Sequence, residues 1–125
     1  MARFKTALKK LGQTPEEARA EGLRQWVATV PSAIPIKELE ARKHQVTAGV
    51  IQNIRIDPRE GSGYVEATII DGTGELVARW LGRRSMSGIQ LGMGLILEGI
   101  LGKTAEGEPL LLNPEYELVS GPEHG

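Results

Sequence analysis

Arg79, Trp80, Arg83 and Arg84 fall within one short stretch, and from Leu76 to Leu97 the chain has no acidic residue. Guanidinium groups neutralise phosphates, and a flat indole ring stacks a base at about 1 to 3 kcal/mol. Catalytic chemistry finds no comparable grouping. Cysteine is absent, and the two histidines, His44 and His124, are far apart. Gly61-Ser62-Gly63, Gly72-Thr73-Gly74 and Gly92-Met93-Gly94 each begin a GxG, but Glu66, Val77 and Leu97 stand where the third glycine would be. These are turns, not phosphate loops. Asp57 and Glu60 lie close in a glycine-rich loop, without the burial that tunes a general acid. The expectation is a binding protein rather than an enzyme, with no cofactor and no metal.

The elements that must position these residues follow from composition and periodicity. The chain has 125 residues, 40% hydrophobic and 25% charged, which suits one modest core. Sixteen glycines and few aromatics favour short strands and turns over a helical bundle. No apolar run approaches the ~20 residues of a membrane span, and lysines interrupt MARFKTALKKLG before a signal-peptide core can form. The expected compartment is the cytoplasm, with no membrane partner. A net charge of −1 conceals +4 over residues 1–43 and −5 over residues 44–125. Nucleic-acid binding would therefore rest on local clusters rather than on the whole.

Phe4, Ala7, Leu8 and Leu11 form the stripe of a short basic helix that Gly12 ends. Thr14-Pro15-Glu16-Glu17 reads as a capping box opening a second helix, whose apolar face is Leu23, Trp26, Val27 and Val30, with Pro31 as its stop. Trp26 is expected to dock this helix on the rest of the protein. Residues 31–43 read as an extended crossing piece with at most one helical turn, around Ile36 to Glu40. From His44 the period changes to two. A long first strand places Val46, Ala48, Val50, Ile54 and Ile56 on one face and Gln45, Thr47, Asn53 and Arg55 on the other, with a bulge or bend at Gly49. A second strand spans Tyr64 to Asp71, and Asp71-Gly72-Thr73-Gly74 is a hairpin turn leading to a third strand, Glu75 to Leu81. Residues 82–93 are a loop or single turn. Strand four is Gly94 to Lys103, with a second bulge at Gly99, and strand five is Leu110 to Val119, punctuated by Asn113-Pro114. SGPEHG is a loose tail.

Five strands, the first long and bent, match a mainly β fold: the five-stranded Greek-key barrel of the OB fold, with an N-terminal α-helical extension. The division expected is a helical extension and crossing segment over residues 1–43, a barrel over 44–119 and a tail over 120–125. The run VTAGVIQNIRI … YVEATIIDGTGELVARWLG … LGMGLILEGIL … LLLNPEYELV resembles bacterial stand-alone OB-fold nucleic-acid-binding proteins. It is similar to the wedge domain of the RecG helicase and to the OB folds of anticodon-binding domains. The DGTG hairpin followed by a tryptophan also resembles the middle subunit of replication protein A and its telomeric relatives. The resemblance implies that this surface binds single-stranded DNA.

OB folds grip single strands across strands two and three, between the loops joining strands one to two and four to five. That face draws on Arg55, Tyr64, Thr68, Arg79, Trp80, Arg83, Arg84 and Lys103. Glu66 stands on the same surface and repels phosphate. Alternation along Leu76, Ala78 and Trp80 puts Trp80 in the core unless a bulge intervenes, so core and stacking positions both stay open. Tyr64 is equally a barrel-end plug or a stacking platform, and the arginines could instead pair with Asp71 and Glu75. The expected partner is single-stranded nucleic acid. The competing partner is a second copy, or a helicase or polymerase subunit, met through the outer face or the N-terminal helices.

Overall fold

The computed structural model describes residues 12–122, so the basic helix expected over residues 4–11 lies outside them. Helix α1, Pro15–Val27, starts as its capping residues dictate: the Thr14 hydroxyl accepts a hydrogen bond from the Glu17 amide at 3.1 Å. It ends earlier than Pro31 because the Val30 amide turns to the Val27 carbonyl, 2.9 Å away, in a tighter bond than a helix makes. A single 3₁₀ turn, Ile36–Glu38, lies in the crossing segment. No helix among the described residues is long and apolar enough to cross a membrane.

Six strands follow: β1 His44–Asp57, β2 Tyr64–Ile70, β3 Glu75–Leu81, β4 Gly94–Lys103, β5 Pro109–Leu112 and β6 Glu115–Val119. They form one sheet in the order β1-β2-β3-β5-β4-β6, and β1 also pairs with β4, which closes the barrel. The β3–β5 pairing is parallel and the others between named strands are antiparallel. This is the expected OB barrel, with one correction. The expected fifth strand is two, broken where Asn113 takes a positive φ of 51° and Pro114 offers no amide to the ladder.

The first strand carries a second correction. An extra residue, Gln52, interrupts the β1–β2 register between Ile51 and Asn53, so the inward face passes from Ile51 to Ile54 across the bulge. Val50 and Ile54 therefore do not share a face. Gly49 is not the bulge; it allows close approach, since a Cβ there would lie 2.7 Å from the Ile70 carbonyl oxygen. The β1–β4 register runs unbroken past Gly99, so no bulge forms there either.

Val65, Ala67 and Ile69 from β2, Leu76, Ala78 and Trp80 from β3, Leu95 and Leu97 from β4, and Leu111 from β5 fill the barrel. Met86, from the turns that join β3 to β4, and Ile36, from the crossing segment, are buried in the same cluster. Asp71 fixes Ile36 in place. One carboxylate oxygen accepts from the Ile36 amide at 2.8 Å, and the other accepts from the Thr73 amide and hydroxyl and the Gly74 amide at 2.8, 2.7 and 3.1 Å. A buried carboxylate thus binds the hairpin to the crossing segment with four hydrogen bonds.

Helix α1 lies outside the barrel. Arg24 donates to the Gly72 carbonyl at 2.9 Å, and a Cβ at Gly72, which has a φ of +86°, would sit 2.1 Å from the Ala20 carbonyl oxygen. Trp26 packs over Gly94, where a Cβ would meet its ring at 2.5 Å. The docking role expected for Trp26 is what the structure shows.

Candidate nucleic-acid interface

Alternation on β2 and β3 turns Tyr64, Glu66 and Thr68, with Val77, Arg79 and Leu81, to the outside. Register aligns these side chains in rows across four strands. Arg55, Glu66, Arg79 and Leu112 form the central row, from β1 to β5. Asn53, Thr68, Val77 and Leu110 flank it on one side, and Asp57, Tyr64 and Leu81 on the other.

The central row is an ion-pair chain. Arg79 donates from Nε and Nη2 to Glu66 Oε1 at 3.0 and 2.7 Å, and its guanidinium carbon stands 5.1 Å from the centre of the Tyr64 ring. Arg55 reaches the other oxygen, Oε2, at 3.5 Å, and touches the Tyr64 hydroxyl at 3.4 Å. Glu66 is only 5% exposed beneath them. The two arginines differ in freedom: the Arg55 side chain is 64% exposed and that of Arg79 only 28%. Two cations and one carboxylate leave this row with a net charge of about +1.

Trp80 is not on the face. It is 3% exposed in the core, its indole N–H donates to the Pro114 carbonyl at 2.9 Å, and Tyr116 meets it edge-on with ring centres 5.3 Å apart. No bulge interrupts β3, so plain alternation decides, and the stacking role expected for Trp80 is corrected. Arg79 faces outward but is committed to Glu66 rather than free for phosphate. Tyr64 is half-buried on the face and is not a plug in the barrel.

Arg83 and Arg84 lie just beyond β3 and are exposed. Arg84 approaches Glu60 of the β1–β2 loop at 3.8 Å with both side chains in solvent, while Arg83 makes no ion pair among the described residues. In the same loop Arg59 grips Asp57 with its Nε and Nη2, and the resulting hydrogen bonds hold the Asp57 carboxyl below its usual range. Among the described residues neither Asp71 nor Glu75 pairs with an arginine. Lys103 is exposed at the end of β4, where the chain turns into β5, so β5 separates it from the Arg79 strand. Thr68 is half-buried in the flanking row.

Two residues of the face were not foreseen. Leu81 and Leu112 are each 50% exposed, beside Tyr64 and Arg79 respectively. Leu81 shares the parity of Arg79, so alternation alone marks it. Leu112 joins the face only through the parallel β3–β5 pairing, which no local pattern signals. The Glu66–Arg79 pair was within reach: counting outward from the Asp71–Gly74 turn sets Ile70 opposite Glu75 and, four pairs on, Glu66 opposite Arg79. The turn itself is occupied, because α1 and the crossing segment cover it.

No family model matches the chain, and no curated protein matches it. Among solved structures, RecG bound to a three-way DNA junction is similar at a TM-score of 0.61 and 18% identity, over 92% of this chain and 16% of that one. That share of this chain exceeds what the barrel supplies, so the likeness extends into the N-terminal segment. A structure from work on structural mimicry for functional antagonism is similar at 0.54 and 16% identity, over 68% of this chain and 44% of that one. A replication protein A heterotrimer bound to single-stranded DNA gives 0.49 and 18%, over 72% and 67%. This chain thus spans a small part of the RecG chain and less than half of the second. At such identities the likeness is one of fold: the chain is an OB barrel with an N-terminal helix.

Proposed function

We propose that this protein is a non-enzymatic OB module that binds single-stranded nucleic acid weakly, as a cytoplasmic accessory in DNA or RNA metabolism. The observation that carries the reading is the outer face of β1, β2, β3 and β5, where Arg55 shares the rows of Tyr64, Leu81 and Leu112, with Arg83 and Arg84 exposed in the loop just beyond β3. Cations at the edge of an apolar strip suit a polyanion whose unpaired bases seek a dry surface. This is also the face by which OB folds hold oligonucleotides, and RecG, of similar fold, is seen with a DNA junction. Trp80 and Arg79 are not direct contacts in this reading; Thr68 and Lys103 border the path.

Three phosphate contacts give a log–log salt slope of about −2 for a single strand. Binding of a labelled single-stranded oligonucleotide at several salt concentrations tests this, with an Arg55/Arg83/Arg84 triple alanine variant as the control. Salt-dependent binding that the variant loses supports the reading. Absence of binding at low salt, or a variant that binds like the wild type, overturns it.

A second reading is favoured by Leu91 and Ile100, which are 64% and 59% exposed and do not belong to the arginine rows. They suit an assembly role, with a second copy or another protein. Sedimentation across a concentration series checks self-association, which a strict monomer excludes.

A further inference from the structure

The central row holds two arginines in unequal states, and that inequality has a functional meaning. Arg79 makes two short bonds to one Glu66 oxygen and lies against the Tyr64 ring. Arg55 makes one long contact to the other oxygen and is mostly in solvent. Glu66 is buried between them on the outward side of the sheet, where phosphate would run in an OB complex.

We infer that Glu66 is a built-in competitor for phosphate: it retains Arg79 permanently, and Arg55 alone leaves it to meet the ligand backbone. This rests on the nucleic-acid reading above and specifies how that face is regulated. A carboxylate in place of a ligand oxygen keeps the guanidinium groups ordered in the free protein. The same carboxylate limits the row to one phosphate, since releasing Arg79 would strand a buried anion, whereas Arg55 gives up only a 3.5 Å contact to it and a 3.4 Å bond to the Tyr64 hydroxyl. Weak binding is then a property of the row rather than a shortage of cations.

The test measures salt slopes for single-stranded oligonucleotide with the wild-type protein, Arg55→Ala, Glu66→Gln and the double variant Glu66→Gln/Arg79→Ala. Each phosphate contact on a single strand contributes about 0.7 to the slope. Arg55→Ala lowers the slope magnitude by about 0.7. Glu66→Gln raises it by about 0.7, which makes binding about fivefold tighter at 0.1 M salt than the 1 M value alone would give. The double variant returns to the wild-type slope. Should Glu66→Gln not fold, Glu66→Thr, a strand-compatible side chain, takes its place in both single and double variants.

The wild-type protein supplies an independent readout in its arginine Nε–H resonances. During oligonucleotide titration the Arg55 signal moves and the Arg79 signal, donated to Glu66, stays. If the wild type binds but the neutral variant shows an equal or shallower slope, or if the Arg79 signal moves with that of Arg55, the restraint is overturned and the nucleic-acid reading stands. If neither protein binds at low salt, the nucleic-acid reading itself fails and the restraint falls with it.

Discussion

Trp80 is held by the bond from its indole N–H to the Pro114 carbonyl and by a T-shaped contact with the Tyr116 ring. Trp80→Phe keeps most of the ring but orphans a buried carbonyl, a loss of about 1–3 kcal/mol in chemical denaturation. Oligonucleotide binding by the folded variant should not change, which separates a core tryptophan from a stacking one. Asp71 carries more: Asp71→Ala leaves three backbone amides without their acceptor, and about 2–4 kcal/mol of stability should go with them, measured the same way. Asp57 responds to pH instead. Its carboxyl is depressed by the hydrogen bonds from Arg59, so the pair favours the folded state above the ordinary value of 3.8 and loses that effect as pH falls through the lower folded midpoint. Arg59→Ala should move the Asp57 midpoint upward in a carboxyl-carbon NMR titration, which checks that Arg59 is the cause of the depression.

Among the elements, the strands were legible because alternation is a local signal, and the caps of α1 because Thr14, Pro15 and Glu17 act within one turn. The bulge was not. Gly49 and Gln52 are both permissible sites for an extra residue, and only the pairing of β1 with β2 at one end and β4 at the other selects Gln52. Pairing also placed Leu112 beside Arg79 and split the last strand, although Asn113-Pro114 already marked the break. The helix–barrel contact offers an elemental prediction. Gly94→Ala forces a methyl into the Trp26 ring, so it should destabilise the protein, and Trp26→Ala should partly relieve it. In a double-mutant cycle the coupling should be about 0.5–3 kcal/mol, whereas two independent sites would simply add.

At the scale of the whole molecule, charge is divided rather than scarce: residues 1–43 carry +4 and residues 44–125 carry −5. Any polyanion must therefore be met by a local edge, and Arg83 and Arg84 are the part of that edge not built into the sheet. Replacing both with alanine should reduce the salt slope by about 1.4 while the denaturation midpoint stays put, because exposed cations contribute little to folding. The division of the chain into extension and barrel, natural from composition, conceals one shared core. Ile36 belongs to the crossing segment yet sits among the barrel's own buried side chains, so Ile36→Ala should cost about 2–5 kcal/mol, like any large core truncation.

That last placement gives the N-terminal segment a mechanical meaning. Ile36 works as a stopper with its backbone amide tied to Asp71, and Ile34 just before it is bonded to β1 through its own amide and carbonyl, so a pull on the chain upstream would load these contacts together before any strand began to unzip. A tether or fusion attached at that end would address the interior of the barrel directly, and tension there would uncork it.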